Sequence, residues 1–140
     1  MRAWTRLLRA YSVTARCLSP ALLEEHGLTL NDYEALELLS DAEGRRMRRV
    51  DLAGALSLSA SGVTRLLEGL EEDGLVQRAT CPHDRRVAYA QLTGEGAARL
   101  RAAACGHAAS IRELLEESLT ETELEELAEL LAKVAGEQER

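Results

Sequence analysis

Two stretches of the chain carry side chains able to do chemistry. Residues 79–96 (ATCPHDRRVAYAQLTGEG) place Cys81, His83, Asp84 and the adjacent guanidinium groups of Arg85 and Arg86 ahead of an alternating apolar run. Residues 59–65 (SASGVTR) gather hydroxyls and small residues and end in Arg65. Hydroxyls and guanidinium groups hold anions by hydrogen bonding and charge. Bond-making would need more: a Ser/His/Asp order, a glycine loop for phosphates or a pair of catalytic carboxylates, and none is found. His26, His83 and His107 show no ligand spacing with a cysteine, so no metal or other cofactor is expected. The chemistry is therefore that of a binding protein, not an enzyme.

Charge localises that binding. The 140-residue chain carries a formal net charge of −7. Residues 1–43 hold 4 basic and 7 acidic side chains, residues 44–101 hold 10 and 7, and residues 102–140 hold 3 and 10. Only the middle is basic, and a local field of that sign attracts a polyanion even on an acidic protein. Cys17, Cys81 and Cys105 are an odd, widely spaced set without a CxxC, which is neither a disulfide framework nor a zinc signature. Cys17 and Cys105 fall on helices and are expected to be buried small hydrophobes, whereas Cys81 is a candidate redox thiol near arginines. The first 18 residues have four arginines and no long apolar core, so they do not read as a signal peptide, and no stretch reaches the length of a membrane span. A cytoplasmic protein without membrane contact is expected.

These residues must be positioned by a mainly helical frame. Aromatics make up 3% of the chain and Phe is absent, so the core must be built of Leu, Ala and Val. Residues 4–26 read as a helix with Leu7, Leu8, Tyr11 and Ala15 on one stripe, broken or kinked near Ser19 by Pro20, and stopped at Gly27. Thr29 and Asp32 form a capping-box pattern for a second helix whose stripe is Tyr33, Leu36 and Leu39. Residues 45–49 (RRMRR) follow as a short basic connector, partly extended. Leu52, Ala53 and Leu56 mark a short helix, Ser57-Leu58 a turn, and Ser59 the N-cap of another helix. Its buried stripe is Val63, Leu66, Leu67 and Leu70; Ser61, Thr64, Arg65 and Glu68 lie opposite, and Gly74 stops it. Two helices joined by so tight a turn are a helix-turn-helix. Residues 75–78 and 87–92 then read as two strands around a basic tip, a wing reaching past the second helix. Thr93 caps a long helix interrupted by Gly106, and Thr120 with Glu123 caps a last, glutamate-rich one.

In order, Asp51-Leu-Ala, Val63-Thr-Arg-Leu-Leu, Gly74-Leu-Val-x-Arg78, Asp84-Arg85-Arg86 and Leu92-Thr93-x-x-Gly96 resemble the MarR family of transcriptional regulators. The flanking GLTLNDYEAL (residues 27–36) fits the family's second helix. The resemblance implies an α+β, mainly α fold: a winged helix-turn-helix over residues 29–96, with dimerisation helices at 1–28 and 97–140. It implies a homodimer on pseudo-palindromic double-stranded DNA, repressing genes until a small-molecule effector or an oxidant intervenes. Family redox sensors carry a reactive cysteine near the N-terminus, with which Cys17 does not align.

On that footing the contact chemistry can be assigned. The N-terminal end of the second helix would enter the major groove, where Ser59, Ser61 and Gly62 are small enough for close approach and free N–H groups can hold a phosphate. Ser61 and Thr64 would hydrogen-bond bases or phosphates, and Arg65 would read a guanine. Arg86 matches the family position that enters the minor groove, oriented by an ion pair with Asp84, while Arg85 meets the backbone. Asp84 pairing with Arg78 or Arg86 would also stiffen the hairpin. Arg45, Arg46, Arg48 and Arg49 are candidates for phosphate contacts or for a solvated surface. A ligand crevice lined by Tyr11, Tyr33 and His107 is conceivable, but core packing suits Tyr33 better. The alternative function is a winged-helix protein-interaction module that no longer binds DNA.

Overall fold

A computed structural model describes residues 1–137. Its elements are α1 (Arg2–His26), α2 (Leu30–Asp41), β1 (Arg46–Arg48), α3 (Arg49–Ala55), α4 (Ala60–Glu72), β2 (Val76–Thr80), β3 (Ala88–Leu92), α5 (Gly94–Glu116) and α6 (Glu121–Ala135). The chain divides into two units, Met1–Cys105 and a second beginning at Gly106, inside α5. The glycine expected to interrupt that helix leaves it continuous. Among the described residues no helix is long and apolar enough to cross a membrane.

The first unit owns the buried core. Leu28, Leu36, Leu39, Leu52, Leu67, Leu70 and Leu75 are almost fully enclosed, and among the described residues no polar or charged residue is buried with them. Burying each such side chain is worth about 1.5–3 kcal/mol, so the leucines that mark the helical stripes in the sequence also hold the unit together. Tyr33 is buried as core packing requires; burial first, and then the Glu37 charge, push its hydroxyl above the ordinary tyrosine range.

The local signals for helix ends operate as written. Thr29 accepts from the Asp32 N–H while the Asp32 carboxylate accepts from the Thr29 N–H, closing a capping box. The same reciprocal pair forms between Thr120 and Glu123 in the second unit, and these hydrogen bonds hold the Glu123 carboxyl below the usual carboxylate range. Gly27, at φ +66°, ends α1 in the left-handed conformation, and Arg99 donates from Nη1 to the His26 carbonyl at 3.1 Å. A cation there meets the negative end of the helix dipole and fastens α1 to α5 within the first unit.

Two expectations are corrected and one is sharpened. α1 passes through Pro20 without a break; the lost backbone donor is tolerated in a helix whose Ser19 hydroxyl donates to the Ala15 carbonyl at 2.6 Å. The arginine-rich connector is partly extended as expected, and its extended part is a true strand, β1, entered from a 3-10 turn (Glu43–Arg45). That strand pairs antiparallel with β3, giving a three-stranded sheet of order β1-β3-β2 with Met47 opposite Ala90 and Arg78 opposite Ala90 from the other side. Three residues are too few to show an alternation, which is why this strand escapes sequence patterning. Cys17 and Cys105 are exposed in the chain rather than buried.

The corner between β3 and α5 is tightly determined. Thr93 donates its hydroxyl to the Gly74 carbonyl at 2.7 Å, accepts from the Gly96 N–H at 3.0 Å, and donates its own N–H to the Leu75 carbonyl at 3.1 Å. Any Cβ on Gly96 would collide with the Leu75 carbonyl and the Leu92 side chain. Gly96→Ala should therefore lower stability by about 3 kcal/mol, the upper part of the range for overpacking, because backbone stands in the way. Urea unfolding measures it; an unchanged midpoint would mean that β2 and α5 separate freely.

Candidate nucleic-acid interface

The tight turn between α3 and α4 is built by Leu58, whose N–H donates to the Ala53 carbonyl at 2.9 Å, and by Ser57 at φ +53°. Ser59 then caps α4: its Oγ accepts from the Gly62 N–H at 3.1 Å and lies 3.2 Å from the Ser61 Oγ. A Cβ on Gly62 would press to 3.2 Å from that same Oγ, so glycine keeps the cap close. The N–H groups of Ala60 and Ser61 precede the first intrahelical bond and stay available to an anion.

α4 buries Val63, Leu67 and Leu70 and half-buries Leu66, as its stripe predicts. Ser61, Thr64, Arg65 and Glu68 are exposed on the other side. The Thr64 hydroxyl donates to the Ala60 carbonyl at 2.9 Å, which leaves the lone pairs of an exposed oxygen free to accept. A hydroxyl oxygen with free lone pairs can accept from an exocyclic amine, and a threonine methyl can pack on a thymine methyl. Among the described residues Arg65 has no acidic partner, so its full donor fork is available.

β2 runs through Ala79 and Thr80, further than the four-residue strand read in the sequence, so the hairpin loop is confined to 81–87. Asp84 organises it. Its Oδ1 accepts from the Arg86 N–H at 3.0 Å and from the Arg86 Nε at 3.4 Å, and its carbonyl accepts from the Val87 N–H at 3.2 Å. Only the Nε side of the guanidinium is held, and the Arg86 side chain is 94% exposed. Arg85 is exposed beside it. Arg78 lies exposed on β2 and is not the partner of Asp84. Cys81 is half-buried where β2 ends.

The four arginines of 45–49 separate into different roles. Arg45 is exposed, at φ +54°. Arg46 lies over the Tyr89 ring, 5.0 Å from its centroid, a cation–π contact across the β1–β3 pair that the sequence did not reveal. Arg48, expected to reach DNA, places the Nε–Nη2 edge of its fork on Asp51, at 2.7 and 3.0 Å, and remains exposed. This hydrogen-bonded pair holds the Asp51 carboxyl below the usual carboxylate range, and its i,i+3 spacing was a readable signal. Arg49, also expected at DNA, is withdrawn: its side chain is 16% exposed and its Nη1 lies 3.7 Å from Glu71 Oε1. The charge run is thus three exposed cations, one of them paired with Asp51, and one withdrawn against Glu71.

A capped helix with a small polar N-terminal face is thus followed by an arginine-tipped hairpin. The sequence model described as "MarR family" matches residues 26–87. The HTH-type transcriptional regulator MhqR of Bacillus subtilis is 31% identical over 112 residues, covering 80% of this chain and 75% of its own length. The structure of AbsC, a MarR family transcriptional regulator from Streptomyces coelicolor, superposes with a TM-score of 0.85 at 37% identity, covering 96% of this chain and 90% of that one. Sco3205, a MarR family regulator from the same organism solved in complex with DNA, superposes at 0.86 with 30% identity, covering 95% and 83%. Fold, motif order and coverage agree, and the chain belongs to the MarR family of winged helix-turn-helix transcriptional regulators, which are not enzymes.

Proposed function

We propose that this protein is a homodimeric repressor that reads a pseudo-palindromic DNA operator and releases it in response to a small molecule or an oxidant. The observation that carries the reading is the pair of exposed guanidinium groups, Arg65 on the outer face of α4 and Arg86, held only at Nε by Asp84, at the hairpin tip. They accompany a helix N-terminus bared by Ser59, Ser61 and Gly62. Arg65 reads a guanine edge in the major groove, Thr64 and Ser61 select neighbouring bases or phosphates, Arg86 enters the minor groove, and Arg85 holds the backbone. Asp84 serves by aiming Arg86; Arg78 is left to the backbone or to solvent.

Dimerisation is supported by apolar surface with no cover in the single chain. α1 exposes Trp4, Leu7, Leu8 and Tyr11, and α6 exposes Leu127, Leu130, Leu131 and Val134. Contiguous apolar surface of this kind marks an interface. Residues 1–28 and 97–140 are accordingly assigned to the dimer and 29–96 to DNA, with the two α4 helices about one duplex turn, ~34 Å, apart. Such a dimer represses by occupying its site. The half-buried Cys81 thiol supports the oxidant branch, since its oxidation would disturb the loop that carries Arg86. On this reading the protein works in the cytoplasm, on the chromosome.

The test is selection of duplexes from a random library with the wild-type chain, followed by fluorescence anisotropy on the selected site. A two-fold-symmetric consensus is expected. Arg65→Ala should lose about 1–3 kcal/mol of discrimination at one base pair of each half-site while retaining non-specific binding. Unchanged selectivity in that variant would remove α4 from the groove.

A further inference from the structure

We infer that Arg49 and Glu71 form a latch that sets how α4 is presented to DNA, making both of them positioning residues. The inference rests on the DNA-reading role proposed above. Arg49 is the first residue of α3 and Glu71 lies in the last turn of α4. Their pairing therefore joins the outer ends of the two helices whose inner ends meet at the Ser57-Leu58 turn. Glu71 Oε1 is shut off from solvent and has no hydrogen-bond partner, yet the guanidinium Nη1 of Arg49 stands 3.7 Å away. A carboxylate oxygen taken out of water loses strong hydration, and only a nearby positive charge offsets that loss. The Arg49 side chain is itself largely covered, so water screens the attraction weakly.

The remaining arginines of the segment make this pairing specific. Arg48, one residue earlier, is consumed by Asp51, Arg46 lies over Tyr89, and Arg45 is exposed. Arg49 alone turns toward α4. Ser61 lies ten residues before Glu71, about 15 Å along the helix, so a small change of tilt at the latch becomes a larger displacement at the DNA-reading end. Groove contacts are sensitive to ångström-scale misplacement. The latch thus converts an arginine that touches no phosphate into one that governs affinity.

The experiment is a double-mutant cycle with Arg49→Met, Glu71→Gln and the pair, plus Arg49→Lys as the conservative variant. Each is examined in the full-length chain by urea unfolding, and by anisotropy on the duplex selected by wild type and on a scrambled duplex, from 50 to 200 mM salt. At a temperature where all variants are folded, each single change should lower affinity for the selected duplex about tenfold and leave the scrambled duplex unaffected. The double variant should be no worse than Arg49→Met, Arg49→Lys should recover part of the loss, and the unfolding cycle should show about tenfold coupling in the folding equilibrium.

A phosphate-contacting Arg49 makes opposite predictions. Glu71→Gln would then raise affinity by removing a negative charge, and Arg49→Met would flatten the salt dependence by about one counterion per chain on both duplexes. Either result overturns the latch, as does absence of coupling in unfolding, which is measured without DNA. Failure of the wild-type chain to bind any duplex would overturn the DNA-reading role instead, while the unfolding cycle still judges the pairing of Arg49 with Glu71.

Discussion

Raising monovalent salt from 50 to 200 mM is expected to weaken operator binding by about four orders of magnitude. Each phosphate neutralised by a cation releases condensed counterions, so the logarithm of affinity falls with the logarithm of salt at about 0.9 per contact. If each protomer neutralises about four phosphates, a dimer neutralises about eight, and the slope is close to −7. The structure narrows which cations supply them. Arg49 is withdrawn against Glu71 and the exposed Arg48 is shared with Asp51, whereas Arg45, Arg46, Arg65, Arg78, Arg85, Arg86 and Arg101 face solvent within the basic region. Anisotropy titrations across that salt range read the slope directly. A slope near zero would leave the protein with no duplex-binding surface, and the protein-interaction alternative would then stand.

Arg86→Ala should reduce operator affinity roughly 30- to 700-fold without dissociating the proposed dimer. A hydrogen bond involving a charged group is worth about 1.5–3 kcal/mol. Part of that is lost again to the entropy of ordering a side chain that is 94% exposed when free. A net of about 1–2 kcal/mol per wing, doubled by two-fold symmetry, gives about 2–4 kcal/mol, which corresponds to the stated factor. The fold should not notice, because among the described residues the guanidinium is held by Asp84 of its own loop alone. Asp84→Ala should give a smaller loss, since it frees the loop and the Nε edge but leaves the charge in place. Size-exclusion chromatography checks the dimer and anisotropy the affinity. Wild-type binding by Arg86→Ala would exclude the hairpin from the contact surface.

Both of these effects depend on residues that stand out in the linear chain. Asp84-Arg85-Arg86 is conspicuous because three charges interrupt two apolar runs, and a hairpin tip is where such an interruption is tolerated. Ser59 is conspicuous because a hydroxyl before an apolar period of 3.6 caps a helix. Both signals act within a few residues and survive in a linear reading. The buried leucines of α2 and α4 are legible for the same reason, as periodicity.

What the sequence determined by itself is therefore local: the caps at Thr29, Ser59, Thr93 and Thr120, the turns at Gly27 and Gly74, the stripe of α4 and the charged tip. What only the tertiary structure decided is the partnering between segments distant in the chain. It paired β1 with β3, stacked Arg46 on Tyr89 and set Arg49 against Glu71. An arginine in a basic run looks the same in sequence whether it will meet a phosphate, an aromatic ring or a carboxylate. Which of these it meets depends on how two helices and a three-residue strand pack, and packing is a property of surfaces that local spacing does not encode.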